Sequence, residues 1–493
     1  MEAVQIDVLN PEAAIDLLSA SVRGITREDW APVAEWVGYL PLALELLNRA
    51  MKAGALTPGD LLTANHEGNA TTKPLDDARL ALREVVREDA LPGVTQAFLL
   101  SYERLTHEQQ TAARLLGWMA PSPIPRAVLE EFGSDSFPAA VRAVLRSRSF
   151  VTGVGDREGE YLGVMHRVLA DFLLSQSAAL EVEATHVTIA LLESMVRVRG
   201  TGDAGLAHVR RCAPAIVSVL DHLVAQPRDD HSWINLVGTF GTRASGELSH
   251  WMLPDLTEAV LQRVVSFATI RLGEQHPNTL AVLNNLAATR HRRGDLLGAQ
   301  HLFEVVLNSQ RAGLGDEHAN TLSTMHNLAG VYRGRGYLLR AKKIEEQVLE
   351  RRRRTGDEHP STLSTAINLA STLRELGELD SAESLLVGVI ETMLRVLGAD
   401  HPHTLTAMGN LANTKHARGD FTGARELQEG VLAGRQRTLG SEHSDTLDAM
   451  SNLALTLRKQ GELAAATTLA EHILRVRERL LGRADEKTLY QFS

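Results

Sequence analysis

The sequence predicts a mainly α-helical protein whose C-terminal part is an α-solenoid of about five to six 42-residue helical hairpins. Three observations carry this. A marker of Gly, a short polar gap, His and then Thr-Leu places its His at His276, His318, His359, His401 and His443, at spacings of 42, 41, 42 and 42. The Thr-Leu pair returns one period later at Thr488-Leu489, which begins a sixth unit. An Asn-Leu-Ala follows nine residues after each His, at Asn285, Asn327, Asn368, Asn410 and Asn452. Finally, a Gly closes the first half of each unit, from Gly294 to Gly461, and an Ala lies five residues beyond it, from Ala299 to Ala466.

Each unit reads as two helices joined at that Gly. In the first, Leu280, Leu283, Leu286 and Ala287 recur at steps of three and four and so share one helical face. Gly294 can take the left-handed conformation that ends a helix. The second helix carries Leu297, Leu302, Val305 and Val306, with Ala299 small enough to let the two helices approach. A hairpin of this size cannot bury both faces alone, so neighbours stack and share a core, with the first helices lining the inner face.

Leu-Gly-x-x-His-Pro-x-Thr-Leu followed by Asn-Leu-Ala and Gly-Asp/Glu-Leu resembles the long tetratricopeptide repeat of kinesin light chains and of many bacterial proteins, over residues 272–493. The resemblance implies that Asn285, Asn327, Asn368, Asn410 and Asn452 hold an extended peptide backbone. An amide offers both donor and acceptor and can pair with any peptide group. The alternative is that each Asn bonds to the neighbouring repeat and sets the stacking. One His per 42 residues, with no second ligand three or four residues away, argues against a metal site; packing or helix capping is the expectation for these His residues. The basic run Arg351 to Arg354 reads as a solvated helix face.

At 493 residues the chain is too long for one core, and its 44% hydrophobic and 23% charged composition is that of a soluble globular protein. No apolar stretch reaches membrane-spanning length and no cationic, apolar leader follows Met1, so a cytoplasmic location is expected. A single Cys, Cys212, excludes an internal disulfide framework. Residues 271–493 hold 28 basic and 27 acidic side chains, leaving 23 basic and 34 acidic of the totals of 51 and 61 for residues 1–270. An N-terminal part acidic by about eleven charges argues against bulk electrostatic binding to nucleic acid.

Taken in order, residues 3–9 show a short strand pattern, Asn10-Pro11 opens a helix to about Ser21, and a second helical pattern runs from Glu28 through Trp36. The run Gly38-Tyr39-Leu40-Pro41-Leu42 follows, in which a Pro must kink or restart the helix. Further on, helical patterns at His107–Trp118, Pro125–Phe132 and Phe137–Arg148 precede Ser149–Thr152 and Glu160–Val164. These last two flank a Gly-rich tip at Gly153–Asp156 and read as a β-hairpin. Three helices and such a hairpin make a winged helix, which ends in Met165-His166-Arg167.

These passages resemble the Gly-Leu-Pro-Leu and Met-His-Asp motifs of STAND-class P-loop NTPases with an NB-ARC module, with Tyr39 inserted in the first and Arg167 in place of the Asp. The resemblance implies that Pro41 packs beside adenine and that His166 reaches the β-phosphate of ADP; otherwise Pro41 breaks two core helices and His166 is an ordinary His. No Gly-x-x-x-x-Gly-Lys-Ser/Thr loop occurs. The expectation is therefore an N-terminally truncated NTPase that binds no cofactor alone and takes ADP or ATP only if a P-loop-bearing segment is supplied. The domain reading is 1–90 helical NTPase remnant, 91–178 winged helix, 179–265 degenerate helical repeats punctuated by Pro227–Asp230 and Gly238–Gly246, and 266–493 tetratricopeptide solenoid.

With no nucleophile beside a base, no metal cluster and no paired carboxylates, an enzyme is not expected. The functional expectation is a protein- or peptide-binding repeat protein acting as the sensing half of a STAND-type switch, with a P-loop NTPase partner or upstream segment. A stand-alone adaptor is the alternative. A transcriptional regulator touching DNA through Phe137–Arg148 ranks below both, because that helix offers only Arg142, Arg146 and Arg148.

Overall fold

The computed structural model describes residues 9–19, 26–37, 39–52, 91–132, 137–153, 160–199 and 201–481. The expected strand at 3–9, most of the hairpin tip and the start of a sixth repeat lie outside these residues. The chain divides into two compact units, Met1–Glu274 and Gln275–Ser493. Among the described residues no helix is long and apolar enough to cross a membrane.

In the first unit, Asn10 caps helix Pro11–Ser19 by accepting from the Ala13 amide at 2.8 Å. Thr26 and Asp29 form a reciprocal capping box at the start of helix Arg27–Trp36. Tyr39 then takes a left-handed φ of 56° and turns the chain, so that Pro41 opens helix Pro41–Lys52 at its first position. A proline there loses no helical hydrogen bond; Pro41 restarts the helix instead of kinking it.

Helices Leu91–Glu103, His107–Gly117, Arg126–Glu131 and Ala139–Ser147 follow. The hairpin differs from its sequence reading. Strand Tyr161–Val164 pairs antiparallel with Pro123–Pro125, and Thr152 contributes only an isolated bridge to Val164. Three residues, two of them proline, carry no strand signal, yet proline is tolerated at a sheet edge. Phe98 and Phe172 meet edge-to-face at 5.5 Å in the core of this unit.

Helices Arg167–Ser175, Leu180–Arg197, Asp203–Ala225, His231–His250 and Pro254–Leu272 complete the unit. Asp230 caps the fourth of these, so Pro227–Asp230 is a connection as expected. Gly238–Gly246 is not a break: it lies within continuous helix His231–His250. Gly241 lets the next helix approach, since a Cβ there would meet Val264 Cγ2 at 2.2 Å. Packing overrides the weak helix propensity of glycine.

The second unit is five stacked hairpins: Pro277–Arg293 with Leu296–Leu314, Ala319–Gly334 with Leu338–Thr355, Pro360–Glu375 with Leu379–Val396, Pro402–Arg418 with Phe421–Leu439, and Ser444–Gln460 with Leu463–Leu481. Gly294, Gly419 and Gly461 end their helices in the left-handed conformation. Ala299, Ala341, Ala382 and Ala424 are fully buried where the two helices of a hairpin meet. One shared core runs from Leu349 in the second hairpin through the third to Leu411 in the fourth, so the unit of burial is the neighbour pair. The second helices differ in detail from expectation. Leu297 is 68% exposed and Val305 is also exposed, because the buried seam runs through Ala299, Phe303, Val306 and Leu307. Successive first helices touch one another as well as their partners, which makes theirs the inner layer.

Candidate peptide-binding face

Each repeat's marker His is a helix N-cap. Nδ1 of His276, His318, His359, His401 and His443 accepts the backbone N–H two residues on, at 3.1–3.2 Å. All five hold extended φ/ψ near −65° and 138°. The cap satisfies one of the donors a helix start leaves open. His401→Ala is expected to cost about 1 kcal/mol of stability, whereas His401→Asn, whose short side chain caps as well, stays near wild type. Urea midpoints of the two variants decide it.

With the first helices fixed in register, the five Asn residues form a half-buried ladder on the inner layer. Two bond across to the preceding repeat: Asn368 Nδ2 lies 3.1 Å from His326 Nε2, and Asn410 Nδ2 donates to Ser371 Oγ at 3.2 Å. Asn285, Asn327 and Asn452 make no side-chain hydrogen bond among the described residues, so their amides stay open to a ligand. Both sequence readings of the ladder thus occur, divided between residues.

Six residues beyond each Asn stands a second row that the sequence reading missed: His291, Arg333, Arg374, His416 and Arg458. The signal was the same period, hidden by a mixture of His and Arg. Arg333 Nη1 donates to the Asn368 carbonyl at 3.1 Å, and His416 Nδ1 lies 3.0 Å from Thr456 Oγ1, so two of these residues stitch neighbouring repeats. Burial and the charges of Arg333 and Arg292 hold His291 below its ordinary range. Arg458 is exposed.

The run Arg351 to Arg354 is a solvated face only in part: Arg353 and Arg354 are exposed, while Arg351 and Arg352 turn inward. Arg352 is 6% exposed and donates to Ser361 O, Thr365 Oγ1 and Ser323 Oγ at 2.9, 2.7 and 3.2 Å. Arg351 pairs with Glu317 at 3.3 Å and Arg353 with Asp357 at 3.6 Å. A helix end packed on the next repeat needs its carbonyl and hydroxyl acceptors filled, and a guanidinium with five donors fills three at once.

In the first unit His166 repeats the capping geometry, its Nδ1 accepting from the Val168 amide at 3.2 Å at the start of helix Arg167–Ser175. The residue is exposed overall, yet partial burial of the ring holds the imidazole below its ordinary range against the pull of Asp171, and Nε2 has no hydrogen-bond partner among the described residues. Arg167 lies 3.8 Å from Asp171. Pro41 is half-buried at its helix start. That helix reaches Ala139–Ser147 through Arg49, which donates to the Arg146 carbonyl at 3.3 Å; no hydrogen bond links Pro41 to His166. The basic side chains of the third helix are partly spent within the protein, Arg142 on Phe137 O at 3.0 Å and Arg148 on Arg104 O at 2.9 Å. Cys212 lies 3.5 Å from His208 Nε2, one turn back on the same helix, and 3.7 Å from Ser194 Oγ of the preceding helix. It is fully buried, and burial pushes the thiol up to about 11 while lowering the imidazole, so neither partner is charged near neutrality.

The tetratricopeptide repeat family matches four overlapping stretches, residues 279–354, 320–387, 361–429 and 405–479. The second unit is a tetratricopeptide-repeat solenoid, and the chain is a tetratricopeptide-repeat protein. Among solved structures it is similar to a kinesin light chain with nearly identical repeats from Podosopora anserina, at 31% identity over 41% of this chain and 97% of that one, TM-score 0.36. It is also similar to a STAND protein with a tetratricopeptide repeat sensor from Pyrococcus horikoshii, at 14% identity over 98% and 71% of the two chains, TM-score 0.35. A third is a Rap protein complexed with competence and sporulation factor, at 11% identity over 62% and 85%, TM-score 0.42. No curated protein matches the sequence.

Proposed function

We propose that the solenoid binds an extended peptide or protein segment along its inner layer, and that the first unit is the regulatory part of a STAND-type switch that relays this binding. The observation that carries the first half is the ladder itself: Asn285, Asn327 and Asn452 are half-buried, periodic and unpartnered, in the layer that faces inward. An amide left open on a rigid helix is pre-ordered to pair with peptide N–H and C=O groups whatever the side chains.

The relay half rests on the motif resemblance, on the order of helices and small sheet at residues 91–164, and on the free Nε2 of His166. Under this reading residues 91–178 are a winged helix, and His166 contacts a nucleotide phosphate only when a P-loop-bearing segment is supplied. Replacing Asn285, Asn327 and Asn452 together by Ala in the full chain should weaken a peptide selected from a random library by tenfold or more, as expected when hydrogen bonds to buried peptide groups are lost. Unchanged affinity sinks the groove reading. For the relay, ADP titrated into the chain with a P-loop partner should bind with an affinity that falls in His166→Ala; equal affinity removes His166 from the nucleotide site.

A further inference from the structure

At the junction of the fourth and fifth repeats the inner layer opens into a cavity of about 70 Å³ lined by Thr406, Gly409, Asn410, Asn413, Gln428 and Asn452, with Arg435 at its wall. The register explains why it is here. The position one before each ladder Asn is Asn284, His326, Ile367, Gly409 and Ser451 in turn, so only the fourth repeat carries no side chain there. Opposite, the second-helix position of Gln428 is Phe303, Glu345 and Leu386 in the preceding repeats. In the third repeat Ile367 and Leu386 fill this place as part of the shared core. A Cβ built on Gly409 meets nothing within 4 Å. An interior helix glycine weakens its helix, and here no close packing requires it.

We propose that this cavity is a subsite for one carboxamide side chain, a glutamine or asparagine of the bound peptide. The inference rests on the peptide-binding reading of the ladder and adds side-chain selectivity to it. The volume suits the polar end of a single side chain, about two waters' worth of space. Its polar wall is made mainly of carboxamides, with Val431 and Ala449 as an apolar side. Gln428 is 4% exposed and its amide oxygen has no hydrogen-bond partner. Asn413 and Asn452 make no side-chain bond among the described residues, while Asn410 keeps its oxygen after spending Nδ2 on Ser371. Arg435 spends Nη1 on the Asp445 carbonyl at 2.6 Å and keeps further donors, so it is the unmet Gln428 amide oxygen that asks the occupant for a donor and sets a carboxamide above a carboxylate. Such a wall needs both a donor and an acceptor from its occupant. A carboxylate supplies acceptors alone, an ammonium donors alone and an aliphatic chain neither; a carboxamide supplies both.

The test is selection of a random peptide library on full-length wild type, Gly409→Ile, Gly409→Ala and Gln428→Leu, each checked for helical content. Wild type should enrich Gln or Asn at one position of the selected peptides. Gly409→Ile, which refills the cavity as in the third repeat, should lose that preference while still selecting peptides. Gln428→Leu should shift it towards aliphatic residues. Replacing the enriched Gln by Glu or Leu should weaken a wild-type-selected peptide about tenfold, the cost of leaving buried amides unpaired. Peptides bound with no preference at any position, a preference for Asp or Glu, or a Gln preference unchanged in Gln428→Leu each overturn the subsite while leaving the groove standing. Failure of wild type to select any peptide overturns the groove reading and the subsite with it. Should Gly409→Ile not fold, Gly409→Ala and Gln428→Leu decide the matter.

Discussion

Replacing Glu345 with leucine should stabilise the second unit by about 3 kcal/mol more at pH 8 than at pH 4.5. Glu345 is fully buried in the second helix of the second repeat, and neither carboxylate oxygen has a hydrogen-bond partner. Burial raises its carboxyl from 4.5 to about 7; Thr372 and the Arg333 guanidinium, 3.9 Å away, pull it back only in part, and Glu375 adds to the rise. The folded state therefore holds a proton that the unfolded chain gives up. Stability from this group is complete below pH 4.5 and is lost as pH rises through about 7, at about 1.4 kcal/mol per pH unit. Leucine, which the third repeat carries here as Leu386, removes the loss.

His326, bonded to the ladder through Asn368, runs the other way. Burial, with Arg352 and Arg333 nearby, lowers it to about 4. The unfolded chain binds the proton first, so this group's contribution is present above pH 6.5 and is lost as pH falls through about 4. Between pH 4.5 and 6.5 the two slopes oppose each other, and wild-type stability should change little from this pair. In Glu345→Leu the His326 slope stands alone, and stability should rise with pH across that window. Urea midpoints at pH 4.5, 6.5 and 8 for the two proteins separate these outcomes; parallel curves would mean that Glu345 is not held protonated.

What the sequence disclosed follows a physical division. The repeat period, the glycine stops, the buried Ala seam and the capping His were legible because each is a local requirement of one helix end or one close approach, and such requirements recur in register. The Leu297 error came from reading one helix alone: its side is decided by the partner helix and the next repeat together, whose shared core takes Ala299 and Phe303. Gly238–Gly246 was misread as a break because a glycine that admits Val264 looks, in one dimension, like a glycine that ends a helix. The burial of Arg352 against Ser361, Thr365 and Ser323, and of Glu345 beside Arg333, joins residues from different helices, and no spacing predicts it; His208 and Cys212, four residues apart on one helix, were open to a sequence reading. At the candidate site, the ladder positions were visible, but its division into stitching and open amides depends on whether Ser371 or His326 stands within reach.

Gly163→Ala should strongly destabilise the first unit, costing about 3 kcal/mol. Its φ of 155° and the close approach of the facing chain leave no room: a Cβ would lie 2.2 Å from the Thr152 carbonyl oxygen and 2.4 Å from Val151 Cγ1. Relieving the clash means separating the bridge in which Thr152 N donates to Val164 O at 2.9 Å and Val164 N to Thr152 O at 2.8 Å. The register of Tyr161–Val164 on Pro123–Pro125 would then lose its second edge, and with it the buried Tyr161, Leu162 and Met165 that fix the chain entering His166. Circular dichroism and tryptophan fluorescence should show loss of first-unit structure at lower urea than in wild type. Peptide affinity, which resides in residues 275–481 under the proposed reading, should stay within about twofold, the scatter expected of a change far from a binding site. An unchanged urea profile would show that the strand tolerates a side chain, and that the sheet does not hold His166 in place.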